Sequence, residues 1–405
     1  MEMKKDYVWP IEEEKIVENF LNSGVNLMQE KFGALSQDSD NIYSRICIGN
    51  SLISLEPYRG CPLKCKYCMA NNDVRSLDLE KYNGKDFDSI IVRKPEKIVS
   101  TSELVDAMVR HPVFIPDKSI IGICTGSSEF FLPELSDDIW FGMVRLIELG
   151  YKNPIWIVVK SFLDINNKEK WIERFDFLDK NGVKVILSIS DIGAPKDIEP
   201  YQVDRFKIFD FLKNTNVIIS HHMRPIIPGD YFTDELIDDL LDKSLNIVKS
   251  VCVGGLRIDP GMEIFWDNEI TKQYNSITGN QDKIFDQKIL KKVEEKVKLR
   301  KQTIPIFDKT SMMISYHLGI SDFNLYRYRK NLEGAFLRVN LSIIKNAEQK
   351  HSKNIIKLLK EVAVKISLDN VEFSMEKDKI YVSRKLLYQE ERSLIHAIGH
   401  FEIFE

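Results

Sequence analysis

From residue 51 the chain alternates short apolar runs with longer amphipathic stretches. Ser51–Leu55 is the first run, and it predicts a strand that delivers the loop after it. Ser119–Cys124 is the next, followed by a helical apolar repeat over Ile139–Leu149. Pro154–Val159 precedes a helix predicted over Lys168–Asn181, and Val183–Ile189 is a further strand. Val217–His222 leads to a helix over Thr233–Val248, and Ser250–Leu256 closes the series. Runs that are apolar throughout predict strands buried on both faces, and a helix between successive strands makes them parallel. The expectation is an α/β fold with six parallel strands. Beyond about Phe265 the alternation is expected to stop. There the pattern predicts a charged helix over Lys283–Lys301 and largely helical structure over Asn340–Val364. Three short strands follow, around Val364–Ile366, Val371–Phe373 and Ile380–Val382, and then a helix over Leu386–Ile398. The expected organisation is an extension over 1–50, a repeating unit over 51–265, and an α+β extension over 266–405 that recognises substrate or caps the repeating unit. No low-complexity linker separates the last two, so the tail is expected to pack rather than swing.

Composition narrows this picture modestly. Net charge is -4, from 57 basic and 61 acidic residues, which argues against an obligate nucleic-acid binder because phosphate contacts need a basic face. The opening residues lack the apolar centre of a secretory leader, and no run is long enough to cross a bilayer. A cytoplasmic protein with no membrane partner is expected. Six cysteines, three of them clustered, suit metal or redox chemistry better than disulfides in such a compartment.

The cluster is Cys61, Cys65 and Cys68, within Tyr58-Arg59-Gly60-Cys61-Pro62-Leu63-Lys64-Cys65-Lys66-Tyr67-Cys68-Met69. Three thiolates this close can hold three irons of a cubane cluster and leave the fourth open to chemistry. The alternative is zinc, which wants four ligands, commonly in spaced pairs, and no partner pair lies nearby. Gly60 permits close backbone approach and Pro62 stiffens the loop. Lys64 and Lys66 would offset thiolate and sulfide charge, or are simply solvated.

The spacing Cys-x-x-x-Cys-x-aromatic-Cys, with Tyr67 as the aromatic, resembles the radical S-adenosylmethionine (SAM) enzymes. The resemblance implies one [4Fe-4S] cluster on the three cysteines, with SAM chelated to the open iron. It implies a one-electron donor such as flavodoxin or ferredoxin, and reductive cleavage of SAM to a 5'-deoxyadenosyl radical that abstracts hydrogen from substrate. It also implies a partial (β/α)6 TIM-like barrel, whose working residues sit at strand C-terminal ends. Local likeness is nearest to spore photoproduct lyase and its DNA-photolyase-like relatives, and spans roughly Leu55–Asp259.

On that likeness, Ser127, Ser128 and Glu129 after the second strand match the segment that contacts the SAM amino group; their plain reading is a turn with a helix cap. Cys124 matches a hydrogen-atom donor, against the plain reading of a small buried thiol. Lys160 after the third strand would meet the SAM carboxylate as a point charge, against a surface lysine. Ser188 and Ser190 match the ribose-contacting segment, and the plain reading of Asp191 is a turn cap. Arg224, in a segment resembling the relatives' Arg-Pro-hydrophobic-Ile-Pro-Gly, would bind SAM or an anionic substrate group, or form a rim ion pair. Gly255 matches a backbone contact to adenine. His221 and His222 alternate faces on a strand and cannot easily share one metal. His396 and His400 are four apart near the chain end and make a weak metal pair. Cys47 and Cys252 read as core. No cysteine follows Cys252, so a single cluster is expected.

The leading expectation is a radical SAM enzyme, a lyase, epimerase or similar catalyst, acting on a small metabolite, natural product or peptide. Repair of a nucleic-acid lesion is the alternative. A non-catalytic iron-sulfur or zinc protein that regulates a partner is the third.

Overall fold

The computed structural model describes residues 42–49, 52–68, 94–111, 113–227, 231–256, 287–300, 302–320, 336–337 and 352–365, residue 270, and scattered positions from 368 to 396. Residues 1–41, 340–351, Ile366 and His400, on which some of the expectations fall, lie outside this set, as does most of the helix expected over 386–398.

An eight-stranded sheet organises the molecule. Its strands are β1 (Ile46–Ile48) and β2 (Ile53–Leu55), then, past a small antiparallel pair β3 (Tyr58–Arg59) and β4 (Glu96–Lys97), β5 (Ile121–Ile123), β6 (Ile155–Val159), β7 (Val185–Ser190), β8 (Ile218–Ile226), β9 (Ser250–Gly255) and β10 (Ile306–Phe307). Their order in the sheet is β1-β2-β5-β6-β7-β8-β9-β10. β1 pairs antiparallel with β2, and every later neighbour is parallel. All six expected parallel strands are present, and they lie side by side in chain order. The fold is therefore mixed α/β around a mostly parallel sheet.

Between the strands run α1 (Thr101–Val109), α2 (Ser136–Glu148), α3 (Lys168–Lys180), α4 (Arg205–Phe209), α5 (Asp234–Ser244) and α6 (Gln287–Leu299). α1 starts where it does because Ser100 and Glu103 form a reciprocal capping box. Period-two alternation divides each strand between two apolar layers. Ile155, Ile157 and Val159 of β6, with Val185, Leu187 and Ile189 of β7, pack in the main core with α1 to α6. Trp156 and Ile186 point the other way and meet Ile120, Cys252, Met313 and Ile314. The last two belong to α7 (Thr310–Leu318), which covers that second face. Within the main core, Phe130, Phe131, Phe162, Trp171, Phe175 and Phe209 form a continuous ring cluster under the strand ends.

The alternation does not stop at residue 265. α6 and β10 add one more unit, because β10 pairs parallel with β9 through Ile306↔Val251 and Phe307↔Cys252. Two residues are too short a run to register as a strand in the sequence. α6 lies beside α5 in a charged ladder. Lys292 bonds Asp234 at 2.9 Å and Lys296 bonds Asp238 at 2.5 Å; Arg300 reaches Asp238 and Asp242, both at 2.8 Å. Three of these rungs share a separation of 58 residues, so the two helices run parallel.

Farther on come β11 (Phe336–Leu337), α8 (Ser352–Lys365), β12 (Phe373–Glu376) and β13 (Lys379–Val382). β13 sits centrally between β11 and β12 in an antiparallel sheet. The strand expected at Val364–Ile366 is corrected: Val364 and Lys365 close α8, and β11 is the third strand instead. A helix with apolar Leu359 and Ala363 one turn apart keeps its period through these residues, and that outweighs the β-branched pair. Leu359, Phe373, Ile380 and Val382 belong to the main core, so this segment packs against the rest. No helix among the described residues is long and apolar enough to cross a membrane.

Candidate functional site

Parallel strands all end on the same edge of a sheet, and here that edge collects the chemistry. β2 ends at Leu55 and delivers Glu56 and the cysteine loop. β5 ends at Ile123, ahead of Cys124 to Glu129; β6 ends ahead of Lys160, and β7 ahead of Asp191. The cysteine loop turns on Gly60 and Lys64, at φ +93° and +58°. It is tied to the strand-end region by Lys66 N–H donating to Ile198 O at 3.0 Å. Cys65 is buried, Cys61 and Cys68 are partly so, and none of the three is in a disulfide. Burial, then the charges of Glu129 and Cys68, push the Cys61 thiol far up. Burial also raises Cys65, to about 12, against the pull of Lys160. The charges that act on these thiols are those of one another and of groups on the next two strand ends. Among the described residues, no three His, Cys, Asp or Glu side chains converge on a point where one metal ion would sit.

Glu129 and Lys160 are brought together. Lys160 N–H donates to Glu129 Oε2 at 3.1 Å, and Phe130 N–H donates to Oε1 at 3.3 Å. Burial nevertheless lifts the Glu129 carboxyl to about 7. Burial lowers the Lys160 ammonium to about 8. Its Nζ lies 4.8 Å from the centroid of the Tyr67 ring and bonds Glu199 Oε1 at 2.6 Å. From Glu199 the charges continue inward: Arg205 donates to Glu199 Oε2 at 2.7 Å and to Asp191 Oδ1 at 2.5 Å, with all three nearly buried. Asp191 also takes the turn-capping bond from Gly193 N–H at 3.0 Å. Among the described residues, the hydroxyls of Tyr67, Ser128 and Ser161 are buried at this edge without a hydrogen-bond partner.

Cys124 stands at the mouth of β5 with φ +54°, a left-handed backbone that costs a non-glycine residue about 1–3 kcal/mol. Its thiol is buried. That burial, reinforced by the charges of Glu56 and Glu129, keeps it protonated. Ser127 donates to Glu56 Oε2 at 2.6 Å. Ser190 donates to Arg224 O at 3.0 Å, so these two sequence-predicted residues are neighbours. Arg224 extends to Thr310 at the start of α7 and lies across Gly254, where a Cβ would overlap its side chain. Gly254 therefore has a steric reason to be glycine; Gly255 is paired with Ile226 on β8.

Ser188 lies apart from the others. It is set back from the edge on the second face, where it accepts from Trp156 Nε1 at 2.9 Å and meets Ser220 Oγ at 2.9 Å. His221 and His222 do take opposite faces: His221 packs on Phe206 of α4, His222 on Trp156. His396 bonds Ser119 Oγ at 3.1 Å. Sequence reasoning missed Glu56, Glu199 and Arg205. Glu56 carried a readable signal, a charge directly after an apolar strand. The other two lie in a polar connection that reads as surface.

No family model matches the chain, and no curated protein matches it. Among solved structures, the spore cortex-lytic enzyme SleL of Bacillus megaterium matches with a TM-score of 0.28 at 11% identity, over 47% of this chain and 55% of that one. The match thus spans about half of that enzyme's length.

Proposed function

We propose that the protein is a radical SAM enzyme built on a partial (β/α) barrel, with one [4Fe-4S] cluster on Cys61, Cys65 and Cys68. The observation that carries the reading is the set of three cysteines, none in a disulfide, on one loop at the C-terminal edge of a parallel sheet, with Glu129 and Lys160 on the next strand ends. Strands that follow one another in sheet order, joined by right-handed crossovers, put their helices on one face. That favours a sheet curled around its other face.

Three thiols on one short loop are the donor set a cubane cluster takes, one to each of three irons. Buried hydroxyls at Tyr67, Ser128 and Ser161 that meet no partner suit a polar ligand bound beside the loop. When bound, the cluster and SAM together supply a carbon radical able to abstract hydrogen from an unactivated C–H bond. Glu129, poised near neutrality, holds or releases a proton as a cationic group approaches its Oε atoms. Lys160 is already paired with Glu199, so it offers a carboxylate ligand a charge held in place. The buried walls exclude water from a reactive intermediate. Cys124 keeps its S–H bond intact and stands ready to return a hydrogen atom to a product radical.

The test is anaerobic cluster reconstitution, dithionite reduction and mass-spectrometric detection of 5'-deoxyadenosine from SAM, with Cys65→Ala in parallel. Formation by the parent and not by the variant supports the reading. No 5'-deoxyadenosine, together with no SAM-dependent change in the electron paramagnetic resonance of a reduced cluster, would refute it.

A further inference from the structure

The conformation of Cys124 needs an explanation beyond its own side chain, and the neighbouring strand holds one. Glu56, fully buried, follows β2 directly. Its Oε1 lies 2.5 Å from Ser54 Oγ and 3.0 Å from Thr125 Oγ1, those two hydroxyls bond each other at 2.5 Å, and its Oε2 accepts from Ser127 Oγ at 2.6 Å. One carboxylate therefore grips the residue just after Cys124 and the residue three after it. On the near side, Cys124 N–H donates to Leu55 O at 2.9 Å. Gly122 completes the arrangement: a Cβ there would come within 2.8 Å of the Thr125 methyl, so glycine lets Thr125 fold back toward Glu56.

We propose that Glu56 is a positioning residue, whose hold on Thr125 and Ser127 fixes the left-handed backbone of Cys124 and aims its thiol at the strand-end site. A buried carboxylate is an expensive way merely to fill space, and an apolar residue would pack β2 against β5 without it. The three hydroxyls around it come from β2 and from the segment that follows β5, so its grip is on the relation between them. The importance of the aim rests on the proposed function; the grip itself does not.

The test is native-state alkylation with iodoacetamide, read by peptide mass spectrometry as the rate at Cys124 divided by the rate at Cys252. Both thiols are buried, and Cys252 lies in the second apolar layer under α7, so global loosening moves both. Glu56→Ala should raise the ratio about tenfold or more, because losing a hydrogen bond to a charged group changes a local opening equilibrium by about that factor. Glu56→Gln keeps an acceptor at Oε1 and offers an NH2 to Ser127 Oγ, which accepts as readily as it donates. Both Glu56 variants also remove a charge that keeps the Cys124 thiol protonated and so speed alkylation alike by that route. The hold is read as the excess of Glu56→Ala over Glu56→Gln, about threefold or more, and as the rise in Thr125→Val and Ser127→Ala, which leave the carboxylate in place. Thr125→Val and Ser127→Ala each remove one arm and carry the test if Glu56→Ala does not fold. No excess of Glu56→Ala over Glu56→Gln, together with ratios unchanged in Thr125→Val and Ser127→Ala, overturns the proposal. Failure of SAM cleavage in the parent would overturn the proposed function and leave this ratio intact, so the two failures are distinguishable.

Discussion

Glu129→Gln separates a buried proton from everything else that titrates. Glu129 is 5% exposed, and burial lifts its carboxyl from 4.5 to about 7, against bonds from the backbone N–H groups of Lys160, Phe130 and Ser161. Between those two values the folded protein holds a proton that the unfolded chain has released. Stability therefore falls as pH rises through that window, with the sign opposite to that of a salt-bridged carboxylate. At about 1.4 kcal/mol per tenfold in proton affinity, the rise to about 7 amounts to a loss of about 3 kcal/mol by pH 8. Glutamine is neutral at every pH and retains an acceptor for Lys160 N–H. Urea unfolding of parent and variant at pH 5, 6, 7 and 8, before any cluster is built, gives the difference in stability with all other groups cancelled. That difference should move toward the variant by about 2.5 kcal/mol from pH 5 to 8, the remainder having been lost below pH 5. A difference that stays flat means Glu129 has an ordinary proton affinity, and the role proposed for it near neutrality falls with it. A cation bound beside the carboxylate reverses the effect, so SAM affinity of the parent should rise from pH 6 to 8 and that of the variant should not.

Other substitutions test the surrounding structure. Arg205→Met strands the Asp191 and Glu199 carboxylates in the interior with Lys160 alone; a loss of about 3–5 kcal/mol is expected at pH 7 by denaturant unfolding, smaller at pH 5, and a loss under 1 kcal/mol would sink the account of the network. Phe131→Ala removes a ring that lies 4.7 Å from Phe130, 4.7 Å from Phe162 and 5.0 Å from Trp171, centroid to centroid, and should cost about 3–5 kcal/mol with a change in tryptophan emission; unaltered emission would mean that Trp171 does not report on this cluster. Cys124→Ala should leave uncoupled 5'-deoxyadenosine formation intact while changing the deuterium pattern of the final product, and an unchanged pattern removes the donor role.

What could be read from the sequence followed from how strongly each feature was written there. β6, β7, β8 and β9 are long apolar runs, and their parallel pairing followed from the helices between them. β10 escaped because two residues carry no period, although its partner β9 was plain. Lys160 stood out because a charge directly after a buried strand has no easy route to solvent. The same reasoning applies to Glu56, but Thr125 and Ser127 follow a different run, 69 and 71 residues on, so these partners were not legible. Glu199 and Arg205 meet because the connection from Asp191 to Arg205 folds back on itself, a tertiary fact with no local periodicity. Ser188 and Ser190 share a strand face, yet only Ser190 is at the edge, and two residues of strand rise separate a site position from a sheet-face position.

The ladder between α5 and α6 has a consequence for how the last unit of the sheet is assembled. Every rung on α5 is acidic and every rung on α6 is basic, at intervals of one helical turn. A slip of one turn would still set Lys292 against Asp238 and Lys296 against Asp242, so the charges hold the two helices together without telling one alignment from the next. The buried residues of α6, Ile289, Val293 and Val297, repeat at the same interval and are nearly as forgiving. What distinguishes the alignments is the short strand beyond, where Ile306 must meet Val251 and Val251 N–H must reach Pro305 O at 3.0 Å. The helix pair supplies adhesion and the strand supplies the vernier: lengthening the connection between α6 and β10 by a single helical turn would leave a stable pair of helices free to take either alignment.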